Sequence, residues 1–401
     1  MGYRVLMLAP TSFFSDYGCH VRILEEILYL QGKGHKVTVC AYRKGKDVPG
    51  IEIKRIPPLP GDNRYELGAS WIKVIFDVFL GLRSLLTSLG SKFDLIHAHL
   101  HEGAFIGYFL SKLWRVPLVF DFQGSLTDEM IQHGILRSGG LVYKLMCRLE
   151  VAIDHLPDAI ITSTAHGARL LKEKFNCNPA KVVEIPDCVN VERFRPRTPS
   201  DEGRVQALKK KLGIPEDRKV VVYLGLLSTY QGTELLLEAA ADLLREGSEA
   251  HFLIMGFPGE AFYREKAESL GIGKYVTFTG RIPYMEAPEY LRLGDVAVAP
   301  KLSASEGNGK LLVYMATGLP VAAFDTSVNK EYLGNYASYA APGDAYALSR
   351  ALRRLLEDEG LASSIGNTLR ERAVQRYKWE RAGEKLLSLY ETLLDARKPR
   401  W

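Results

Sequence analysis

A carboxylate, two glycines and a lysine fall within five consecutive residues, Glu306-Gly307-Asn308-Gly309-Lys310. Glycines let bare backbone N–H groups approach a ligand closely, and the lysine adds a cation beside them. The spacing therefore suits an anion such as a phosphate. Glu306 stands ahead of the lysine, where it is free to hydrogen-bond hydroxyl groups. Two further groupings carry polar chemistry. His97, His99 and His101 alternate and run into Glu102, and Asp121 precedes Gln123-Gly124. Histidines alternating along an extended segment share a face only if the strand continues, and a metal needs convergent ligands. No metal site is expected there. His97 reads as structural, and His99 with Glu102 as a polar wall. For Asp121, a helix or turn cap and a titratable site group remain equal readings.

The elements that must position these groups follow from apolar patterning. Asp295 to Pro300 reads as a strand and Leu311 to Ala316 as a helix. Gly318 and Pro320 stop the helix, and a strand follows. A glycine loop feeding a helix N-terminus favours negative charge there. In the first half, Arg4 to Ala9, the helix from Val21 to Leu30 and Val37 to Ala41 form a βαβ unit, with Gly18 at the helix entry. The same alternation recurs along the chain, so both halves read as doubly wound α/β. The polar segment from Arg197 to Lys219 reads as a linker. Residues 69–89 form a helix with a wide apolar face, which is expected to pack on the sheet; contact with a membrane is the alternative.

With 401 residues, two domains are the natural expectation, and 47% hydrophobic with 25% charged residues is ordinary for a globular protein. The net charge of +5 is mild. No dense basic stripe with interleaved aromatics marks a nucleic-acid surface, and the run Lys209 to Lys211 reads as a solvated helix face. Cysteines 19, 40, 147, 177 and 188 show neither metal-ligand nor disulfide spacing, which points to a reduced, cytoplasmic compartment. No stretch is long and uncharged enough to span a bilayer, and the N-terminus lacks a signal-peptide pattern.

Residues 299–323 resemble the C-terminal signature of the retaining GT-B glycosyltransferases of family 4. There, Glu-Gly-aromatic-Gly leads into a helix with a second Glu and then Ala-Met-Ala-x-Gly-x-Pro-Val. Glu306, Gly307, Gly309, Met315, Ala316, Gly318, Pro320 and Val321 match. Asn308 replaces the aromatic residue, Tyr314 the second Glu, and Lys310 is not the usual residue. After the strand at Val220–Gly225 the family's Arg and Lys are Leu226 and Gln231. Gln123-Gly124 stands where the family has His-Gly.

The resemblance implies two Rossmann-like domains facing a central cleft. One comprises residues 1–196 plus a C-terminal return helix, 379–401; the other comprises 197–378. It implies metal-independent hexosyl transfer, without a cofactor, from a nucleotide-sugar to a glycan, lipid-linked or small-molecule acceptor in polysaccharide biosynthesis. The protein would be cytoplasmic, with possible peripheral contact at the inner membrane face. Glu306 would hold sugar hydroxyls. The backbone from Asn308 to Leu311, with Gly307, Gly309 and Lys310, would hold the diphosphate, and Lys301 would be the next candidate cation. Tyr314 would lie near the ribose, Arg281 and Ile282 near the base, and Gly256 and Gln231 on the donor side. Gly18 either meets the diphosphate, frames the acceptor, or is a plain helix-entry glycine. His99 and Glu102 would face the acceptor, and Gln123 and Asp121 would join Glu306 and Lys310 as the catalytic side chains. The departing phosphate would itself deprotonate the acceptor. The alternatives are a GT-B nucleotide-sugar epimerase or phosphorylase, and a non-catalytic nucleotide-sugar-binding protein.

Overall fold

The computed structural model describes residues 2–16, 18–59, 71–132, 134–302 and 307–397. The chain forms two compact units, Met1–Asp187 with Trp379–Trp401, and Cys188–Lys378.

Among the described residues, the first unit holds seven parallel strands: β1 (Arg4–Ala9), β2 (Lys36–Ala41), β3 (Glu52–Arg55), β4 (Leu95–His99), β5 (Leu118–Phe122), β6 (Ala159–Thr162) and β7 (Val182–Glu184). Their order is β3-β2-β1-β4-β5-β6-β7, so the winding reverses between β1 and β4. The second unit holds β8 (Val220–Leu226), β9 (His251–Phe257), β10 (Val276–Phe278), β11 (Val296–Ala299), β12 (Val321–Phe324) and β13 (Ser338–Ala340). Their order is β10-β9-β8-β11-β12-β13, with the reversal between β8 and β11. The central strands are buried on both faces, which is why they read as unbroken apolar runs rather than alternating ones. In such sheets ligands gather at the carboxyl ends of the strands flanking the reversal. That places the loops after β8 and β11 together.

Three expectations change. The polar segment after Arg197 is not an open linker. Thr198 and Asp201 make a reciprocal capping box, and Glu202–Leu212 forms a helix closed by Gly213 at φ 68°. Lys209 on this helix is buried, with Nζ 3.4 Å from the Glu216 and Arg218 carbonyl oxygens, so the lysine run is not wholly a solvated face. The apolar helix is Trp71–Gly90 and uses its face in two ways. Phe76 and Leu80 join the core under the sheet, whereas Val74, Ile75, Val78, Leu82, Leu86 and Leu89 are each more than half exposed.

The helix Trp379–Asp395 lies within the first unit and packs on the helix Gly18–Gly32. At Gly383 an added Cβ would come within 2.3 Å of the Tyr29 ring, so the two helices approach closely there. Tyr390 is buried, and its hydroxyl pairs with Nδ1 of His97 on β4 at 2.6 Å. Replacing Tyr390 with Phe leaves a buried imidazole nitrogen without this partner, which costs about 1–3 kcal/mol. The expected outcome is a lower urea midpoint for the first unit; an unchanged midpoint would show that the bond contributes nothing to stability.

Candidate functional site

The helix Lys310–Thr317 starts at the carboxyl end of β11, beside the carboxyl end of β8. Lys310 is its first residue. Its Nζ donates to Gln231 Oε1 at 2.9 Å and to the Tyr223 hydroxyl at 3.1 Å, and lies 4.2 Å from the Tyr223 ring centroid. Gly225 makes room for it: φ is +150°, and an added Cβ would come within 2.8 Å of Nζ. Gln231 is buried, and both hydrogen-bond partners of the lysine are uncharged. Burial, and then the neighbouring Lys301 charge, push the Lys310 pKa well below its ordinary value. Among the described residues no carboxylate pairs with this ammonium group.

The loop ahead of the helix is pinned from two sides. Lys301 Nζ donates to the Gly307 carbonyl at 3.0 Å, and Asn308 Nδ2 donates to Asn329 Oδ1 at 2.8 Å. Asn329 in turn donates to the Phe324 carbonyl at the end of β12. The β8 loop is held against the β11 loop by a Leu302 N–H bond to the Tyr230 carbonyl. Gly232, at φ +74°, sits where a Cβ would be 2.0 Å from the Pro300 carbonyl oxygen. Gly256 is demanded by packing too, since a Cβ there would meet the Gly225 carbonyl oxygen at 2.3 Å. Gly309 differs: it is exposed and a Cβ would find nothing within 4 Å. Its open side, with the N–H groups of Gly309 and Lys310 leading the helix, is a surface an anion can approach.

Several expected contacts take other partners. The Leu311 N–H bonds to the Asn308 carbonyl at 2.9 Å, closing the first turn, so this group is not a free anion donor. Tyr314 is fully buried, and its hydroxyl accepts from the Leu224 N–H at 2.7 Å. It ties the helix to β8 instead of facing a ribose. Arg281 is exposed and stacks 4.9 Å from the Phe257 ring centroid, and Ile282 beside it is buried. Glu306 lies outside the described residues.

In the first unit, β4 runs on to His99, so His97 and His99 do share a face, contrary to expectation. Both are buried, and their rings stack with centroids 4.5 Å apart. His99 Nδ1 pairs with Asp121 Oδ2 at 3.0 Å rather than lining an open wall. Asp121 is itself buried and accepts from Arg22 Nε at 2.8 Å and Gln123 Nε2 at 2.9 Å. Burial raises the Asp121 pKa, but the Arg22 charge and the His99 bond outweigh it and hold the carboxyl well below the usual range. Its partners are the side chains of Arg22, His99 and Gln123, not the N–H groups of a turn. Glu102 forms an ion pair with Lys73 at 2.6 Å. Burial works against its charge, yet the Lys73 cation lowers its pKa. Gly18 opens its helix with no atom within 4 Å of an added Cβ, so packing does not require a glycine there.

Sequence reasoning missed Tyr223, Arg22 and Glu26. Arg22 Nη1 also donates to Asp187 Oδ1 at 2.9 Å and to the Ile185 carbonyl at 3.1 Å. A readable signal existed: Arg22 and Glu26 lie one helical turn apart, flanking the apolar positions 23, 24 and 27 of a buried helix.

Comparison with known proteins agrees with this arrangement. The family described as Glycosyltransferase Family 4 matches residues 18–193, and that described as Glycosyl transferases group 1 matches residues 205–372. The D-inositol 3-phosphate glycosyltransferase of Corynebacterium diphtheriae is 27% identical over 383 residues, covering 87% of this chain and 86% of that one. The enzyme of the same name from Salinispora arenicola is 26% identical, covering 95% and 88%. Among solved structures, sucrose-phosphate synthase from Thermosynechococcus elongatus superimposes with a TM-score of 0.82 at 18% identity, covering 98% of this chain and all (100%) of that one. Anabaena HepE in complex with UDP-glucose gives 0.76 at 17% identity, covering 97% and 100%. Matched on both halves by families of one enzyme class, and sharing the fold of its solved members, the chain belongs to the GT-B glycosyltransferases of the family 4 kind.

Proposed function

We propose that the chain transfers a hexosyl group, with retention, from a nucleotide-sugar to a glycan, lipid-linked or small-molecule acceptor. The unit Cys188–Lys378 would take the donor and the unit formed by Met1–Asp187 and Trp379–Trp401 the acceptor. The observation that carries this reading is the Lys310 ammonium, which heads a helix and whose hydrogen-bond partners among the described residues are both neutral. A diphosphate whose charge grows as the sugar leaves is the ligand that such a group stabilises. The N–H groups of Gly309 and Lys310 add to it, so the transfer step needs no metal. Glu306 would hold the sugar hydroxyls and Arg281 would stack on the base. The departing phosphate takes the acceptor proton, which leaves Gln123 free of any acid–base task. Binding of UDP and UDP-glucose by the similarly folded HepE supports a nucleotide-sugar donor.

Transfer is read most directly as nucleotide release with a panel of nucleotide-sugars. A charge-assisted hydrogen bond contributes about 1.5–3 kcal/mol, so Lys310→Ala should lower kcat/KM for the donor roughly 10- to 100-fold, and Glu306→Gln similarly. Turnover like the wild type in both variants would remove these roles.

Lys310 also leaves a mark on stability. Its folded pKa lies below the ordinary 10.5, so the folded state binds fewer protons than the unfolded state between those values. Stability gained through this group therefore rises with pH from the depressed pKa up to 10.5. Lys310→Met should be the more stable protein near neutrality, with the difference shrinking on the alkaline side. Parallel pH profiles for the two in urea unfolding would contradict an amine held against its own burial.

We further propose peripheral contact with an anionic membrane face. The helices Trp71–Gly90, Leu100–Trp114 and Leu141–Asp154 are neighbours, and each presents apolar side chains outward, among them Val78, Leu86, Phe109, Leu113, Leu141 and Leu145. The charged side chains exposed among their described residues are Lys112, Lys144 and Arg148, all basic. Apolar insertion flanked by cations suits acidic headgroups. Vesicles rich in anionic lipid should float the wild type and lose it on Leu145→Glu, whereas neutral vesicles should retain little. A protein left in the dense fraction with both lipids would exclude the membrane.

A further inference from the structure

Below the carboxyl ends of β4 and β5, the first unit buries a group of ionisable side chains that the transfer reaction does not use. Glu26, His97, His99 and Asp121 are all buried, and each can offer one ligand atom within 4.8 Å of the others. Glu26 Oε2 lies 3.8 Å from His99 Nε2 and 3.9 Å from His97 Nε2. These separations are too long for hydrogen bonds and too polar for apolar contact. Among the described residues, both Glu26 carboxylate oxygens, both Nε2 atoms and Asp121 Oδ1 have no hydrogen-bond partner. Buried polar atoms are almost always satisfied, and this many orphans converging on one point calls for an occupant.

The other faces of the imidazoles are committed. His97 Nδ1 pairs with the Tyr390 hydroxyl at 2.6 Å, and His99 Nδ1 with Asp121 Oδ2 at 3.0 Å. An imidazole whose Nδ1 is engaged by a hydroxyl or carboxylate presents Nε2 as a ligand, and this is the second shell that metal-binding histidines use. The charge count leads the same way. Glu26, Asp121 and Asp187 surround the single Arg22 guanidinium, three carboxyl groups to one cation, and a divalent ion would bring further positive charge to them.

We propose that Glu26, His97 and His99, oriented by Asp121 and Tyr390, bind one divalent transition-metal ion. Two imidazoles and a carboxylate are donors that suit zinc. Because the two rings stack at 24°, loading splays them slightly so that both Nε2 lone pairs reach one ion. The ion ties the helix Gly18–Gly32 to β4 and, through Tyr390, to the helix Trp379–Asp395. It is a staple inside the first unit and takes no part in sugar transfer.

The test uses the full chain purified without a histidine tag, incubated with zinc chloride and freed of excess metal by gel filtration. Elemental analysis should find about one zinc per chain, with a raised melting temperature that magnesium does not reproduce. Glu26→Gln and His97→Gln should each weaken zinc binding by at least about tenfold, and Tyr390→Phe, which keeps every ligand, by a smaller factor. X-ray absorption of the loaded wild type should show a nitrogen and oxygen shell with imidazole scattering, and this readout stands even if a variant fails to fold. Wild type that retains no zinc, variants that retain as much as wild type, or a shell containing sulfur would each overturn the assignment.

Discussion

A cation taken partly out of water must be matched or it destabilises the fold, and the β8–β11 end of the second unit is organised around one that no carboxylate among the described residues matches. Lys310 meets a glutamine carbonyl oxygen, a phenol and the face of the phenol ring, all neutral. Such partners orient an ammonium group without neutralising it. Each neighbouring feature follows from keeping that group in place. Gly225 vacates the volume the lysine occupies, Gly232 lets the β8 loop press against Pro300, and Lys301 and Asn308 fix the loop from which the helix starts. Under the proposed function, the free energy withheld from folding would be available to the donor diphosphate.

The first unit solves the opposite problem. Arg22 is buried more deeply than Lys310, but three carboxyl groups approach it. Here the excess is negative, and the group that yields is Glu26. Burial raises its pKa well above the ordinary value despite the attraction of Arg22, while Asp187 and Asp121 push the same way. Asp121 keeps its charge because it also has His99 and Gln123 to hold it. Two carboxylates in one apolar setting are thus driven apart by the number of donors each can reach.

Periodicity made the alternating strands and helices legible, because a parallel sheet writes continuous apolar runs and its crossovers write helical ones. It failed where the pattern was weak. The helix Glu359–Arg376 has little amphipathic character, since most of its surface is wet, and Glu202–Leu212 is so polar that it resembled a linker until its cap and its Gly213 stop were seen. At the candidate site, the glycine loop and Lys310 were legible because glycine and lysine have few other reasons to sit together before a helix. The partners of Lys310 were not. Tyr223 lies in an ordinary strand, and only the pairing of β8 with β11 brings it beneath the lysine. The histidine pair failed for a related reason: whether His97 and His99 share a face depends on where β4 ends, and strand ends are what composition specifies least.

The departures from the family 4 pattern make sense once charge is followed instead of position. The pattern places a lysine before Gly232 and an ordinary residue at the head of the later helix; here Gln231 and Lys310 hold those places, and the two side chains touch. A cation from the β11 loop thus reaches the side chain that stands in the place of the β8-loop lysine, which restores one of the two charges that the pattern carries there. Tyr314 follows the same logic in reverse. With no carboxylate at that position, its hydroxyl turns inward to the Leu224 N–H and stiffens the junction between helix and strand that carries Lys310. A lysine at the helix head gains from such stiffness, because its long side chain loses less entropy on binding when its base and both partners are already held.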